Sequence, residues 1–143
     1  MKKTTLLKPP IPRMGGKSKL RKQIIGMIPQ HELYVEPFLG AGWVYFGKEE
    51  SKVEVINDID QNITNLFKVI KYHNEEFCRL MEYEIYARTS FNEHKSTEGM
   101  TDIQKAIAFL CNIKMSFASR GGHFGYSFNS IPTRFIDSEL ILF

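Results

Sequence analysis

The sequence predicts an α/β fold in which helices and short strands alternate along the chain. Apolar residues at helical spacing mark a first helix over residues 19–28, which Pro29 ends. Strand patterns follow at residues 33–38 and 52–56, and a second helical face begins with Ile59, directly after Asp58. Strands separated by helices usually pair in parallel through right-handed crossovers. The alternation therefore predicts a parallel sheet of Rossmann type.

Residues 34–42, with the sequence YVEPFLGAG, indicate a buried strand that leads directly into a glycine turn. Leu33, Val35 and Phe38 are expected to provide the core contacts of this strand. Pro37 is expected to end its hydrogen-bond ladder, because proline has no N–H to donate. The segment is therefore the predicted centre of the fold and the expected place for a small ligand.

The turn itself contains Gly40 and Gly42, which allow a sharp reversal and the close approach of a ligand. Residues 43–46 are predicted to begin a helix whose free N–H groups face the same point. A dinucleotide-binding turn needs a third glycine three residues after the second, and this chain has Tyr45 there. The pattern therefore does not predict a pyrophosphate ligand.

Two acidic residues beside the turn indicate a different ligand. Glu36 lies at its mouth, where a carboxylate repels a pyrophosphate and attracts a cationic group. Asp58 follows the second strand, about 20 residues after the turn, where an acid can bind the diol of a ribose. Together the two acids suggest a nucleoside that carries a positive charge.

Residues 35–42 resemble the cofactor motif of the Dam-like (D12 class) DNA adenine-N6 methyltransferases. The resemblance implies a Rossmann-like S-adenosylmethionine-dependent fold, S-adenosylmethionine as cofactor and double-stranded DNA as substrate. In that family a Gly-Gly-Lys sequence near the N-terminus completes the pocket, and residues 15–17 match it. Position 13 departs from the family, which usually has an aromatic residue where this chain has arginine. The cofactor-binding residues that the resemblance implies are Arg13, Lys17, Glu36, Phe38, Gly40, Gly42 and Asp58.

The alternation of helices and strands pauses after residue 72. Residues 73–100 are rich in glutamate, and Thr101 and Asp102 then predict the start of a strongly periodic helix. We therefore divide the chain into a cofactor-binding part, residues 1–72, and a second part, residues 73–143. The second part is expected to hold a helical insertion. The resemblance implies that this insertion serves target recognition and that the start of an otherwise missing C-terminal part follows it.

Basic residues are concentrated in two intervals that contain no acid. Residues 1–31 carry eight Lys or Arg, and residues 105–134 mix basic with aromatic side chains. Residues 114–125 resemble the target-recognition region of the same family, although Phe117 is expected to belong to the core. The DNA-contacting residues implied by this resemblance are Lys114, Ser116, Arg120, His123 and Tyr126.

The family uses an Asp-Pro-Pro-Tyr type tetrapeptide to bind the adenine amino group and to stack on the base, and this sequence contains none. We therefore identify no catalytic residue. By comparison with the family, we expect the Rossmann-like fold to be incomplete at its C-terminal side and the chain to be truncated before that motif and inactive alone. A missing segment or a second chain would then supply the motif. The predicted function is site-specific adenine-N6 methylation of DNA, as in restriction-modification. A non-catalytic nucleic-acid-binding or regulatory remnant of the same fold is the alternative.

Composition excludes several other classes of protein. No apolar run approaches the roughly 18 residues needed to span a bilayer, and prolines follow the basic N-terminus in place of a secretory apolar region. The sequence therefore predicts a cytoplasmic protein, and the family resemblance implies that a bacterium or phage encodes it. Cys78 and Cys111 have no His or Cys at ligand spacing, so neither a metal site nor a disulfide is predicted.

Overall fold

The computed structural model describes residues 9–12 and 16–125. In chain order its elements are α1 (Arg21–Met27), β1 (Leu33–Glu36), a 3-10 helix (Tyr45–Gly47), β2 (Val53–Ile56), α2 (Gln61–Met81), α3 (Arg88–Glu93), α4 (Asp102–Met115) and a second 3-10 helix (Phe117–Ser119). Among these elements, no helix is both long enough and apolar enough to cross a membrane.

The two strands pair in parallel, with Leu33 opposite Val53 and Glu36 opposite Ile56. This confirms the predicted parallel pairing, and β1 ends directly before Pro37 as expected. Beyond the strands, the N–H of Leu39 donates to the carbonyl of Asn57 at 3.0 Å. The hydrogen bond keeps the glycine turn beside the C-terminal end of β2.

The prediction that Leu33, Val35 and Phe38 provide the core contacts of the first strand is wrong. Their exposed fractions are 55%, 52% and 75%, whereas Glu36 and Leu39 are buried. Side chains alternate between the two faces of a strand, and the described elements cover the face that carries Glu36. The apolar face of the sheet is left open by the residues that the structure describes.

Residues 43–46 do not begin the predicted longer helix. They lead into the single 3-10 turn at Tyr45–Gly47, after which Lys48 is extended. The sequence Trp-Val-Tyr-Phe is aromatic and β-branched, and these residue types lose side-chain freedom in an α-helix. The side chain of Arg21 also packs closely against Gly47. A Cβ on Gly47 would lie 2.0 Å from the Nε atom of Arg21.

Helix α2 begins where its N-cap Asp60 accepts a hydrogen bond from the N–H of Asn62 at 3.1 Å. Ile59, which was predicted to lie on its apolar face, is 90% exposed, because it precedes the helix. The helix is kinked at His73, where the backbone leaves helical geometry. The kink lies next to the predicted boundary at residues 72 and 73, but the division into two parts stays a prediction.

Helix α4 packs against α2, and both contribute buried side chains to one apolar core. Thr101 and Gln104 form a capping box, which confirms the predicted start of α4. Phe117, however, is 74% exposed and not part of the core. The helix ends at Met115 and Ser116 is extended, so Phe117 leaves the periodic apolar face.

Candidate functional site

The glycine turn adopts a backbone that favours glycine at two positions. Gly40 and Gly42 have φ angles of 57° and 83°, in the left-handed region. A Cβ on Gly42 would lie 2.8 Å from the ring of Phe46, whereas one on Gly40 would meet no described atom within 4 Å. Gly42 is therefore packed against the protein, and Gly40 faces open space.

Asp58 connects this turn to the end of β2. Its Oδ2 atom accepts the N–H of Gly40 at 2.7 Å, and its Oδ1 atom accepts the N–H of Asp60 at 3.0 Å. An ionised carboxylate has about four acceptor positions, so about two remain for another partner. The side chain fixes the turn and still offers acceptors at the open edge.

Lys17 and Glu36, both predicted site residues, form an ion pair. Lys17 Nζ also donates to the carbonyl of Phe38 at 2.8 Å, and Glu36 Oε2 accepts the hydroxyl of Tyr34 at 3.1 Å. Burial and the neighbouring carboxylate raise the pKa of Tyr34 well above its usual range, so it stays a donor. The charge of Glu36, which was expected to attract a cation, is thus already balanced by Lys17.

Two exposed apolar side chains lie close to the turn in sequence. Phe38 follows β1 and Ile59 follows β2, and since the strands are parallel both come at the same edge of the sheet. Helical periodicity assigned Ile59 to the core, although its position directly after Asp58 was a usable signal that it lies at the sheet edge. Arg13 lies outside the described residues.

A cavity of about 480 Å³ lies between the first 3-10 helix and α2, and Leu39, Tyr45, Glu54 and Asn57 are among its lining residues. None of the predicted cofactor residues that the structure describes lines it. Burial and Glu54 raise the pKa of Tyr45 to about 12. We place the candidate site at the open strand edge, because ligands of parallel sheets bind outside the carboxyl ends of the strands.

A second candidate site is the loop over residues 116–125, which returns on itself. Ser116 forms an isolated antiparallel bridge with Phe124, and the N–H of Phe117 donates to the carbonyl of His123 at 2.8 Å. The buried Ser116 hydroxyl donates to the carbonyl of Ile113 at 2.9 Å and accepts the N–H of Gly121 at 2.7 Å. The hydroxyl therefore closes the loop.

Side chains from α3 and from the segments on either side of it hold this loop in place. The hydroxyl of Tyr86 donates to the carbonyl of Gly125 at 2.8 Å, and Lys95 Nζ donates to the carbonyl of Gly122 at 2.9 Å. The ring of Phe124 packs on those of Tyr86 and Phe91 at centroid distances of 5.5 and 5.7 Å. The loop is thus attached through both its backbone and its aromatic side chain.

The predicted DNA-contacting residues occupy different environments in and beside this loop. Arg120 and His123 are exposed, Lys114 is partly exposed, Ser116 is buried, and Tyr126 lies outside the described residues. The backbone at Ala118 and Ser119 has positive φ angles of 56° and 53°. Adjacent left-handed residues other than glycine are uncommon and costly, and such strain often accompanies function.

Comparison with known proteins defines the class to which this turn and loop belong. The family model for D12 class N6 adenine-specific DNA methyltransferases matches residues 14–123. The chain therefore belongs to this family, which confirms the resemblance drawn from residues 35–42.

Individual relatives agree with this assignment. The DNA adenine methylase of Escherichia coli (strain K12) is 33% identical over 65 residues, which cover 46% of this chain and 23% of that protein. The type II methyltransferase M.MjaIII of Methanocaldococcus jannaschii is 34% identical over 127 residues, with coverage of 73% and 44%. The type II methyltransferase M1.LlaDCHI of Lactococcus lactis subsp. cremoris is 25% identical over 113 residues, with coverage of 72% and 39%. The chain thus spans less than half the length of these curated relatives.

Proposed function

We propose that this chain is the cofactor-binding and DNA-binding part of a DNA adenine-N6 methyltransferase with a Rossmann-like fold. The observation that carries the proposal is the hydrogen bond from Gly40 to Asp58 at the carboxyl edge of two parallel strands. It joins the predicted turn to the predicted ribose-binding acid, which are separated by a whole strand in sequence. Residues 1–72 would bind the cofactor, and residues 73–143 would contact the target.

S-adenosylmethionine supplies an electrophilic methyl group on a sulfonium, and the chain's own residues would hold the rest of the molecule. The remaining acceptor positions of Asp58 suit the ribose hydroxyls. Phe38 and Ile59 offer apolar surface for the adenine ring. Lys17 suits the cofactor's carboxylate, and Glu36 suits its ammonium group, so the Lys17–Glu36 pair matches a zwitterion better than a simple cation.

The loop over residues 116–125 would contact double-stranded DNA. Arg120 and His123 are exposed on it, and cationic or hydrogen-bonding side chains on such a loop can bind phosphates. Ser116 would act indirectly, since its hydroxyl holds Gly121. Lys114 and Tyr126 stay predicted contacts.

Transfer of the methyl group requires an acceptor for the adenine amino protons and a ring that holds the extruded base. The Asp-Pro-Pro-Tyr type tetrapeptide that would supply both is not among the 143 residues. We therefore assign cofactor and DNA binding to this chain and expect no transfer of labelled methyl groups to duplex DNA by residues 1–143 alone.

Isothermal titration calorimetry with S-adenosylmethionine tests the proposal. The expected result is saturable binding to a single site, with tighter binding of the intact cofactor than of adenosine, because Lys17 and Glu36 would contact only its amino-acid end. Absence of binding by a folded chain, with a cooperative melting transition as the check of folding, would contradict the proposal.

The DNA interface yields a separate prediction at Gly125. A Cβ there would lie 2.7 Å from the backbone nitrogen of Phe117, so Gly125→Ala must displace the loop. We expect affinity for duplex DNA, measured by fluorescence anisotropy, to fall about tenfold, which corresponds to about 1.4 kcal/mol. The matched control is Gly122→Ala, because a Cβ there meets no described atom within 4 Å. Equal affinities of the two variants for duplex DNA would show that the loop does not belong to the interface.

A further inference from the structure

Three potential metal ligands converge in the helical part of the chain, away from the glycine turn. Glu84 follows α2, His94 is the C-cap of α3, and Cys111 lies within α4. One ligand atom from each residue lies within 4.8 Å of the other two. Because the three residues come from separate segments, their spacing in the sequence gave no metal signature.

The distances fit a tetrahedral ion after a small contraction. His94 Nε2 lies 3.2 Å from Glu84 Oε2. Nitrogen and oxygen ligands at 2.0 to 2.2 Å on a tetrahedral zinc ion stand about 3.3 Å apart, and a sulfur ligand at 2.3 Å stands about 3.6 Å from either. The distances from the cysteine sulfur to the other two ligand atoms therefore have to shorten by at most about 1.2 Å, which a side-chain adjustment provides.

The three side chains are buried to different degrees, as in a metal site that is closed to solvent on one side and open to it on the other. Cys111 is fully buried, whereas the side chains of His94 and Glu84 keep exposed fractions of 13% and 21%. The Nδ1 atom of His94 is buried and has no hydrogen-bond partner among the described residues. A buried imidazole nitrogen without a partner is costly, and only a ring orientation in which Nδ1 itself coordinates the ion would remove that cost.

The donor set selects the kind of ion. A thiolate, an imidazole and a carboxylate suit Zn²⁺, whereas Mg²⁺ and Ca²⁺ require oxygen ligands. The Sδ atom of Met81 lies 3.9 Å from Cys111 Sγ and adds a soft, polarisable neighbour. Three protein ligands leave one coordination position for water.

We propose that Glu84, His94 and Cys111 bind a zinc ion that fastens α2, α3 and α4 together. The anchors of the loop over residues 116–125 lie on α3 and on the segments beside it, so the ion would stabilise the proposed DNA-contacting surface. The proposal stands independently of the cofactor assignment. A zinc ion binds the thiolate form of cysteine, so the ion must displace the thiol proton of Cys111 on binding.

Cobalt(II) substitution of the untagged 143-residue chain tests this site, because Co²⁺ reports thiolate and tetrahedral coordination in its absorption spectrum. We expect a thiolate-to-cobalt band in the near ultraviolet and intense visible bands, both removed by an equivalent of Zn²⁺. Cys111→Ser should abolish the near-ultraviolet band. The matched control Cys78→Ser should retain it, because Cys78 is the other free thiol and lies outside the cluster.

Absence of the thiolate band in the wild-type chain, or its persistence in Cys111→Ser, would overturn the proposal. If Cys111→Ser fails to fold, His94→Gln and Glu84→Gln decide the question. Each should weaken Co²⁺ binding at least about tenfold, since even partners of metal ligands contribute that much. Wild-type affinity in both variants would equally overturn the site.

Discussion

Replacement of Asp58 with alanine is expected to weaken the binding of S-adenosylmethionine by about 100-fold or more. The substitution removes the acceptor that holds the N–H of Gly40 and the acceptors offered to the ribose. Hydrogen bonds to a charged group contribute about 1.5 to 3 kcal/mol each, which is about tenfold to 150-fold in affinity for each one lost. Calorimetric titration of wild type and variant measures the difference.

Asp60→Ala is the matched control for this experiment. Asp60 is the N-cap of α2 and its carboxylate accepts from Asn62, so its loss should cost about 1 kcal/mol of stability. Its backbone N–H still donates to Asp58, and the affinity for the cofactor should therefore stay close to that of the wild type. Equal affinities of the wild type and Asp58→Ala for S-adenosylmethionine would show that Asp58 does not belong to the site.

Replacement of Lys48 with methionine is expected to lower the free energy of unfolding by about 3 to 5 kcal/mol, since it leaves a carboxylate buried without its cation. The side chains of Lys48 and Glu54 form an ion pair with exposed fractions of only 4% and 17%. Lys48 Nζ also lies 4.3 Å from the ring centroid of Tyr34 and donates to Ser51 Oγ at 3.1 Å. Urea unfolding followed by circular dichroism measures the loss.

An exposed pair in the same region provides the control. Lys52 and Glu32 are paired with exposed fractions of 72% and 78%, so Lys52→Met should cost less than about 1 kcal/mol. Equal losses for Lys48→Met and Lys52→Met would show that burial of the first pair has no energetic consequence.

The buried ion pair between Lys48 and Glu54 also makes the free energy of unfolding depend on pH. Burial tends to raise the pKa of Glu54, but hydrogen bonds from Lys48 and from the N–H of Ser51 outweigh it, and the net pKa is lowered. A carboxyl whose pKa is lower in the folded state stabilises the fold above its unfolded pKa. That contribution is lost as the pH falls through the folded pKa, and Lys48→Met should lose less stability on acidification than the wild type.

Local sequence patterns predicted the backbone features that depend on few residues. Pro37 marks the end of β1, Thr101 marks the start of α4, and Gly40 and Gly42 mark the turn, because each acts through its own backbone or its neighbours. The parallel pairing followed from the alternation of elements. These features require no knowledge of which surface each strand or helix covers.

The errors arose where the fold, and not the local pattern, decides what a side chain contacts. Val35 and Phe38 are apolar in a strand pattern but lie on surface that the described elements leave open, whereas Glu36 is buried with Lys17. Ile59 continues a helical period but precedes the helix. The same reasoning explains why the cluster around Cys111 was not foreseen.

The most direct test of the account is to observe which backbone amides respond to the cofactor. In a ¹⁵N–¹H correlation spectrum titrated with S-adenosylmethionine, we predict the largest shifts at Lys17, Gly40, Gly42, Asp58 and Ile59. Shifts confined to residues that line the cavity between the first 3-10 helix and α2, such as Tyr45 and Thr64, would contradict the placement of the site at the strand edge. A spectrum that does not change at saturating cofactor would contradict the proposed function itself.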